Sequence, residues 1–294
     1  MFYRRKLILA LLEAFGGKLP KINLQKLLFI VTNRQSKPAY DFVPYKFGCY
    51  SYSANADLKA MIKHGFLSED EISFIKKDKQ SYLSSLNDSD RRLVNQVCVL
   101  LKNYDADALM RHTYVNYPYY AINSTTASRL LTKEQLQTVA SKRPSSSSTI
   151  LFTIGYEGIS LEAYLNKLIK ADVKVLVDVR NNPMSQKYGF SKSQLETCCK
   201  NLNIEYVHIA EVGIQSEERQ ALKTQTDYDL LFEGYRRNTL PVTIPYQQKI
   251  LDLLIKNKRI ALTCFESNIC QCHRKPLAEA ITQLPGWTYE LKHI

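Results

Sequence analysis

Hydrophobic positions along this chain change their spacing once, near the middle. Over about the first 140 residues they recur at helical intervals. Leu7, Leu11, Leu12 and Phe15 fall on one helical face, and Gly16-Gly17 ends that helix. Leu24, Leu27, Leu28 and Val31 share a face within residues 23–32. Pro38 breaks the pattern, and an aromatic stretch follows with Phe42, Tyr45, Phe47 and Tyr50. A third helix is predicted over residues 55–64, stopped by Gly65. Asn87 is placed to cap a helix reaching Tyr104, with Leu93, Val97, Leu100 and Leu101 inward. The tyrosines within residues 115–124 are expected either to stack on unpaired bases or to pack one domain on another. Helix, helix, short strands and helix predict a mostly helical, winged-helix-like domain over residues 1–140.

Residues 141–149, SKRPSSSST, are polar and serine-rich and read as a linker. Beyond them the apolar runs become short and continuous. Residues 149–154, 173–179, 205–209 and 260–264 read as buried strands. Residues 161–171, 191–201 and 244–257 read as helices, and Pro276 starts another. The alternation predicts an α/β domain over residues 150–294: a parallel sheet with flanking helices and right-handed crossovers.

Composition adds a partner. A chain of 294 residues has room for two domains. It carries 40 Lys and Arg against 28 Asp and Glu, a formal net charge of +12. Such an excess points toward a polyanion, most often nucleic acid. Lys21, Lys26, Lys46, Lys59 and Lys63 are expected to meet phosphates. No run of about 18 apolar residues exists, so neither a transmembrane helix nor a membrane partner is expected. The start, MFYRRKLILALLEAFGG, has the basic head of a signal peptide, but Glu13 interrupts its apolar run and no small-residue cleavage site follows. It reads as an amphipathic helix. Seven cysteines, with Cys198 and Cys199 adjacent, argue for a reducing compartment and a cytoplasmic location.

The polar residues of the second half fall at strand ends. Gly155, Tyr156, Glu157 and Gly158 follow the first strand; Asp178, Arg180, Asn181, Asn182, Pro183 and Ser185 end the second. His208 and Glu211 end the third, and Cys264 and Glu266 the fourth. A parallel sheet gathers these carboxyl ends on one rim, where α/β proteins bind ligands. Residues 256–280 are the densest part, with Cys264, Glu266, Cys270, Cys272, His273 and Arg274 close together.

INLQKLLFI followed by YKFGCYSYSANADLKAMIKHGFL resembles the Panacea or SocA-like antitoxin domain family over about the first 70 residues. That resemblance implies a helical module that binds DNA or a protein partner. TIGYEGISLEAYL, VDVRNNPMS, IEYVHIAEVG, YRRNTL and CFESNICQCHR resemble, in order, the blocks of the family called domain of unknown function 488. This second resemblance implies an α/β fold with a pocket. Its recurrent polar positions are Gly155, Tyr156, Glu157, Gly158, Asp178, Arg180, Pro183, Ser185, His208, Glu211, Tyr235, Arg236, Cys264, Glu266, Cys272, His273 and Arg274. One departure is Glu211-Val212-Gly213-Ile214, where the family usually places a second glycine.

Several chemistries fit poorly. No phosphate-cradling P-loop is present. A cysteine phosphatase needs Cys and Arg in one tight loop, and neither Cys264 nor Cys270 has the required spacing to Arg274. Zinc through Cys264, Cys270, Cys272 and His273 lacks the paired spacing of structural sites, and Cys270 lies close to Cys272 for a tetrahedron. No metal and no cofactor is therefore assigned. A carboxylate-centred site fits better, because clustered acids push their pKa values apart. The expected catalytic residues are Asp178, Glu157, Glu266 and Arg180. The expected substrate-binding residues are Gly155, Tyr156, Asn181, Ser185, His208, Glu211, Tyr235, Arg236, Cys272, His273 and Arg274. Cleavage of an N-glycosidic bond needs a carboxylate and donors for the departing base. The expected function is a DNA glycosylase that excises a modified base flipped from the duplex, such as a phage-type hypermodified pyrimidine, in a defence context. The alternatives are a non-catalytic module that binds nucleic acid or a nucleotide, and a metal-dependent nuclease.

Overall fold

The middle of helix α1 (Tyr3–Ala14) is buried all round, not along one stripe: Leu7, Ile8, Leu9, Ala10, Leu11 and Leu12 are each 0% exposed. A helix that is apolar all round needs neighbours on every side, and the following elements supply them. The computed structural model describes every residue except 216–217 and 219–221, and divides into two compact units, Met1–Arg143 and Pro144–Ile294.

In the first unit α1 leads to β1 (Lys18–Pro20) and α2 (Lys21–Thr32). A hairpin of β2 (Val43–Tyr45) and β3 (Gly48–Tyr50) precedes α3 (Tyr52–Lys63). A second hairpin follows, β4 (Leu67–Glu69) and β5 (Ser73–Lys76), and β5 also pairs antiparallel with β1. The resulting order β1-β5-β4 beside three helices is winged-helix-like, with the β2–β3 hairpin inserted. Ser51 caps α3 by accepting from Ala54 N, so the helix starts three residues before the expected Asn55. Asp57 on α3 is 2% exposed and binds Arg4, Arg5 and the Tyr40 hydroxyl, which ties α3 to α1.

The expected Asn87 cap is present, its side chain accepting from Asp90 N at 2.8 Å at the start of α4 (Asp88–Leu101). The inward face differs from expectation. Val94, Val97 and Leu101 are buried, whereas Leu100 is 62% exposed. The helix turns its 94, 97, 101 stripe to the core, and position 100 then faces solvent. After α5 (Ala106–Asn116), Tyr117 and Tyr120 pack edge-on against Phe29 at 4.9 and 4.6 Å. These rings pack within the first unit. Two short helices complete it, α6 (Ala127–Leu130) and α7 (Lys133–Ser141). Lys26 is not placed to meet phosphate. It is 2% exposed and donates to Cys49 O at 2.9 Å, and burial lowers its pKa. Lys21 pairs with Glu69 at 2.7 Å.

The second unit alternates β6 (Ile150–Gly155), α8 (Leu161–Lys170), β7 (Val175–Asp178), α9 (Lys192–Asn201) and β8 (Glu205–His208). Then come α10 (Gln225–Gly234), α11 (Ile244–Asn257), β9 (Arg259–Cys264), α12 (Arg274–Thr282) and β10 (Glu290–His293). The five strands are parallel in the order β10-β6-β9-β7-β8. Every residue of β7 and β9 is buried, as suits strands covered on both faces by helices. The carboxyl ends of β6, β9 and β7 therefore sit side by side. The serine-rich stretch is anchored at its far end, where Ser146 and Ser148 accept hydrogen bonds from Arg259 Nη1.

Candidate active site

The end of β7 is held by a buried ion pair. Asp178 is 0% exposed; Arg180 Nε reaches one of its oxygens at 2.8 Å and Arg180 Nη2 the other at 2.5 Å. The second oxygen also accepts from the Tyr206 hydroxyl at 2.6 Å, and the first from Arg180 N at 3.2 Å. Burial next to this carboxylate pushes the Tyr206 hydroxyl far above its ordinary pKa, so it remains a donor. Arg180 Nη1 bonds the Tyr156 hydroxyl at 2.7 Å and Phe190 O at 2.9 Å. His208 Nε2 lies 2.8 Å from Arg180 O; a carbonyl only accepts, so Nε2 carries the hydrogen.

A cavity of about 480 Å³ opens above these ends. Tyr156 from β6, Arg180 and Asn181 from β7, and Cys264 and Phe265 from β9 line it, with His273 beside them. The loop after β7 adds Asn182, Met184, Ser185, Gln186 and Lys187. Tyr156 stacks on Phe190, with centroids 4.2 Å apart and planes 10° from parallel, and meets Phe265 edge-on at 5.3 Å. Lys187 Nζ donates to Tyr156 O, and burial lowers its pKa while nearby Glu157 opposes that shift.

On the β9 side the sulfur of Cys264 lies 3.6 Å from His273 Nδ1 and 3.3 Å from Glu266 Oε2. His273 Nε2 lies 3.0 Å from Val179 O, which fixes the hydrogen on Nε2 and leaves Nδ1 toward the sulfur. Cys272 is fully buried, and burial, with Cys264 close by, pushes its thiol well up. Arg274, 1% exposed, donates Nε to Cys272 Sγ at 3.1 Å and Nη2 to Glu266 O at 2.5 Å. Gly155 makes the close passage possible: a Cβ there would lie 1.9 Å from Glu266 O. Gly213 does the same opposite β7, where a Cβ would lie 2.2 Å from Asn181 N.

Residues 160–281 match the family described as Domain of unknown function DUF488. The match runs from α8 almost to the end of α12, so it includes Arg180, Cys264, Cys272, His273 and Arg274, while Tyr156 on the β6 side precedes it. A comparison with curated proteins finds no match.

Within and beside the DUF488 region the expected site residues separate into two groups. Tyr156, Arg180, Asn181, Ser185 and His273 line the cavity; Glu266 touches the wall residue Cys264, and Arg274 bonds Cys272 Sγ and Glu266 O. Asp178 differs from expectation. It does not face the cavity, because both carboxylate oxygens are taken by Arg180 and Tyr206. It orients Arg180. Glu157 is exposed and accepts from Ser267 N and Oγ at 3.0 and 3.1 Å, which pins the turn after β9 and lies outside the cavity wall. His208 holds the backbone of Arg180 from outside the wall, and Glu211 is exposed. Tyr235 is buried, donates to Val212 O at 2.6 Å and meets the His273 ring edge-on at 5.9 Å. It begins a π-helical stretch, Tyr235–Thr239. Arg236 faces outward and pairs with Glu279 at 3.1 Å. Asn182, expected on the rim, also lines the cavity, and Lys187, Gln186, Met184, Phe265 and Ile214 line it without having been expected there.

Proposed function

We propose that the second unit is a hydrolase acting on a base in nucleic acid, a DNA glycosylase that takes a modified base into the cavity at the end of its sheet. The cavity carries this reading. Its volume of about 480 Å³ suits a nucleoside-sized group, and its wall combines aromatic rings with side-chain donors. Tyr156 and Phe265 offer faces and edges for an unstacked base. Asn181, Asn182, Gln186 and Lys187 offer hydrogens to base edges, sugar oxygens or a phosphate. The net charge of +12 favours a polyanionic substrate.

Among the expected catalytic acids, Glu266 and not Asp178 takes the charge-stabilising role in this reading. Its carboxylate reaches Cys264 Sγ, a wall atom of the cavity, whereas Asp178 is committed to Arg180. A carboxylate beside the sugar stabilises the positive charge that grows as the N-glycosidic bond breaks and positions the attacking water. The first unit, winged-helix-like and lysine-rich, supplies contacts to the duplex or to a protein partner in this reading.

The test is incubation with phage DNAs that carry hypermodified pyrimidines, and with unmodified DNA. Release of a base, with strand breakage only after alkali or an abasic-site nuclease, is the expected result. Direct breakage without base release would move the activity to nuclease chemistry. Binding with neither would leave a non-catalytic module.

A further inference from the structure

The thiols and imidazole at the cavity wall come from two places in the chain. Cys264 ends β9, and Cys272 and His273 precede α12. One ligand atom from each, two Sγ and a ring nitrogen of His273, lie within 4.8 Å of one another, and all three residues are at most 1% exposed. The zinc pattern weighed in the sequence depended on Cys270, which the fold turns outward; Cys270 is exposed, with Lys275 Nζ 3.8 Å from its sulfur. Cys264, Cys272 and His273, the other three residues of that set, remain together, and the crowding between Cys270 and Cys272 no longer matters.

We infer that Cys264, Cys272 and His273 form a zinc site whose fourth position opens into the cavity. A tetrahedral zinc has Zn–S of about 2.3 Å and Zn–N of about 2.0–2.1 Å, which puts sulfur and nitrogen roughly 3.5 Å apart. The Cys264 Sγ to His273 Nδ1 separation is 3.6 Å. Two thiolates and an imidazole are donors that suit zinc over magnesium or calcium. The surroundings have the form of ligand supports. Histidine ligands commonly donate their other N–H to a backbone carbonyl, and His273 Nε2 does so to Val179 O at 3.0 Å. Arg274 Nε points at Cys272 Sγ, and a buried guanidinium is better matched by a thiolate than by a neutral thiol.

Three protein ligands with an open position is the arrangement of catalytic zinc sites, whereas structural sites are closed by a fourth. Cys264 and His273 are both wall residues, so the open position faces the cavity. Glu266 Oε2, 3.3 Å from Cys264 Sγ, is placed to exchange a proton with a water bound there. That last role rests on the hydrolase reading; the metal site rests on ligand geometry alone.

The test needs no substrate. Full-length protein is loaded with zinc, desalted and assayed for metal; about one tightly held zinc per chain is expected. Cobalt in its place should give thiolate-to-metal charge-transfer bands with the intensity of two sulfurs, and the visible bands of a four-coordinate ion. Cys272→Ser and His273→Gln should each lose the metal, and Cys270→Ser should keep it. Should the first two variants fail to fold, the wild-type cobalt spectrum decides alone. Zinc that washes out, zinc lost in Cys270→Ser, or cobalt without thiolate bands overturns the site. Base release by metal-free protein overturns the role of a metal-bound water and spares the hydrolase reading; tightly bound zinc without base release upholds the site and overturns that reading.

Discussion

Arg180 and Asp178, two residues apart on the end of β7, close a buried ion pair in which Arg180 Nε and Nη2 each meet a different carboxylate oxygen. The pair aims the remaining guanidinium nitrogen at Tyr156, a cavity wall residue. Removing one member of a buried pair leaves the other charge uncompensated, which costs about 3–5 kcal/mol. Asp178→Asn is therefore expected to lower unfolding free energy by about that much in urea titrations. Glu266→Gln should unfold like wild type and reduce base release by roughly a hundredfold or more. An Asp178→Asn protein with wild-type stability and no activity would return the catalytic role to Asp178.

The turn after β9 passes over Gly155 with no room for a side chain, since a Cβ would lie 1.9 Å from Glu266 O. A backbone atom cannot swing aside as a flexible side chain can. Gly155→Ala should displace Glu266 and loosen the Arg274 bond to its carbonyl. The expected loss is about 1–3 kcal/mol, the usual range for forced overpacking. Thermal melting checks the stability, and unchanged melting would mean that the turn shifts freely.

The strands were legible because β6, β7 and β9 are covered on both faces and so appear as unbroken apolar runs. β10 was not, because its residues Glu290 to His293 are mostly exposed and carry no such run. The helix α10 did leave a signal that went unread: Thr224 and Asp227 form a capping box at its start. At the site, sequence order placed the right residues on the rim but not their orientation. Asp178 and Glu157 sit at strand ends as expected, yet one turns inward to Arg180 and the other outward to Ser267. The meeting of Cys264 with His273 spans a loop, so spacing alone set Cys270 beside them, although the fold turns it outward. Lys187 lies in a polar loop without periodicity, and nothing in its neighbours marks it.

Lys187 gives the cavity a pH response. Burial lowers its pKa from the ordinary lysine value, so its positive charge is lost at lower pH than for a solvated lysine. Binding of an anionic ligand in the cavity should be full below that lowered pKa and weaken as pH rises through it. Lys187→Met should bind more weakly below it and lose this alkaline limb. A ligand titration across pH checks both, and an unchanged limb in the variant would assign the response to another group.

The winged-helix-like unit should meet nucleic acid through some of its expected lysines and not others. Lys46, Lys59 and Lys63 are exposed, whereas Lys26 is 2% exposed with its ammonium on Cys49 O. Lysines that neutralise phosphates release counterions, so affinity falls steeply with salt. Duplex affinity is expected to drop on the order of a hundredfold or more between low and physiological salt. Each exposed lysine that touches a phosphate should reduce the slope of log affinity against log salt by about one when changed to glutamine. Lys26→Met should leave the slope unaltered, because a buried ammonium displaces no counterion. Fluorescence anisotropy over a salt series measures all four variants. A flat series for the wild type would remove nucleic acid as the partner, and a slope that responds to Lys26 but not to Lys46, Lys59 or Lys63 would place the contact elsewhere on the unit.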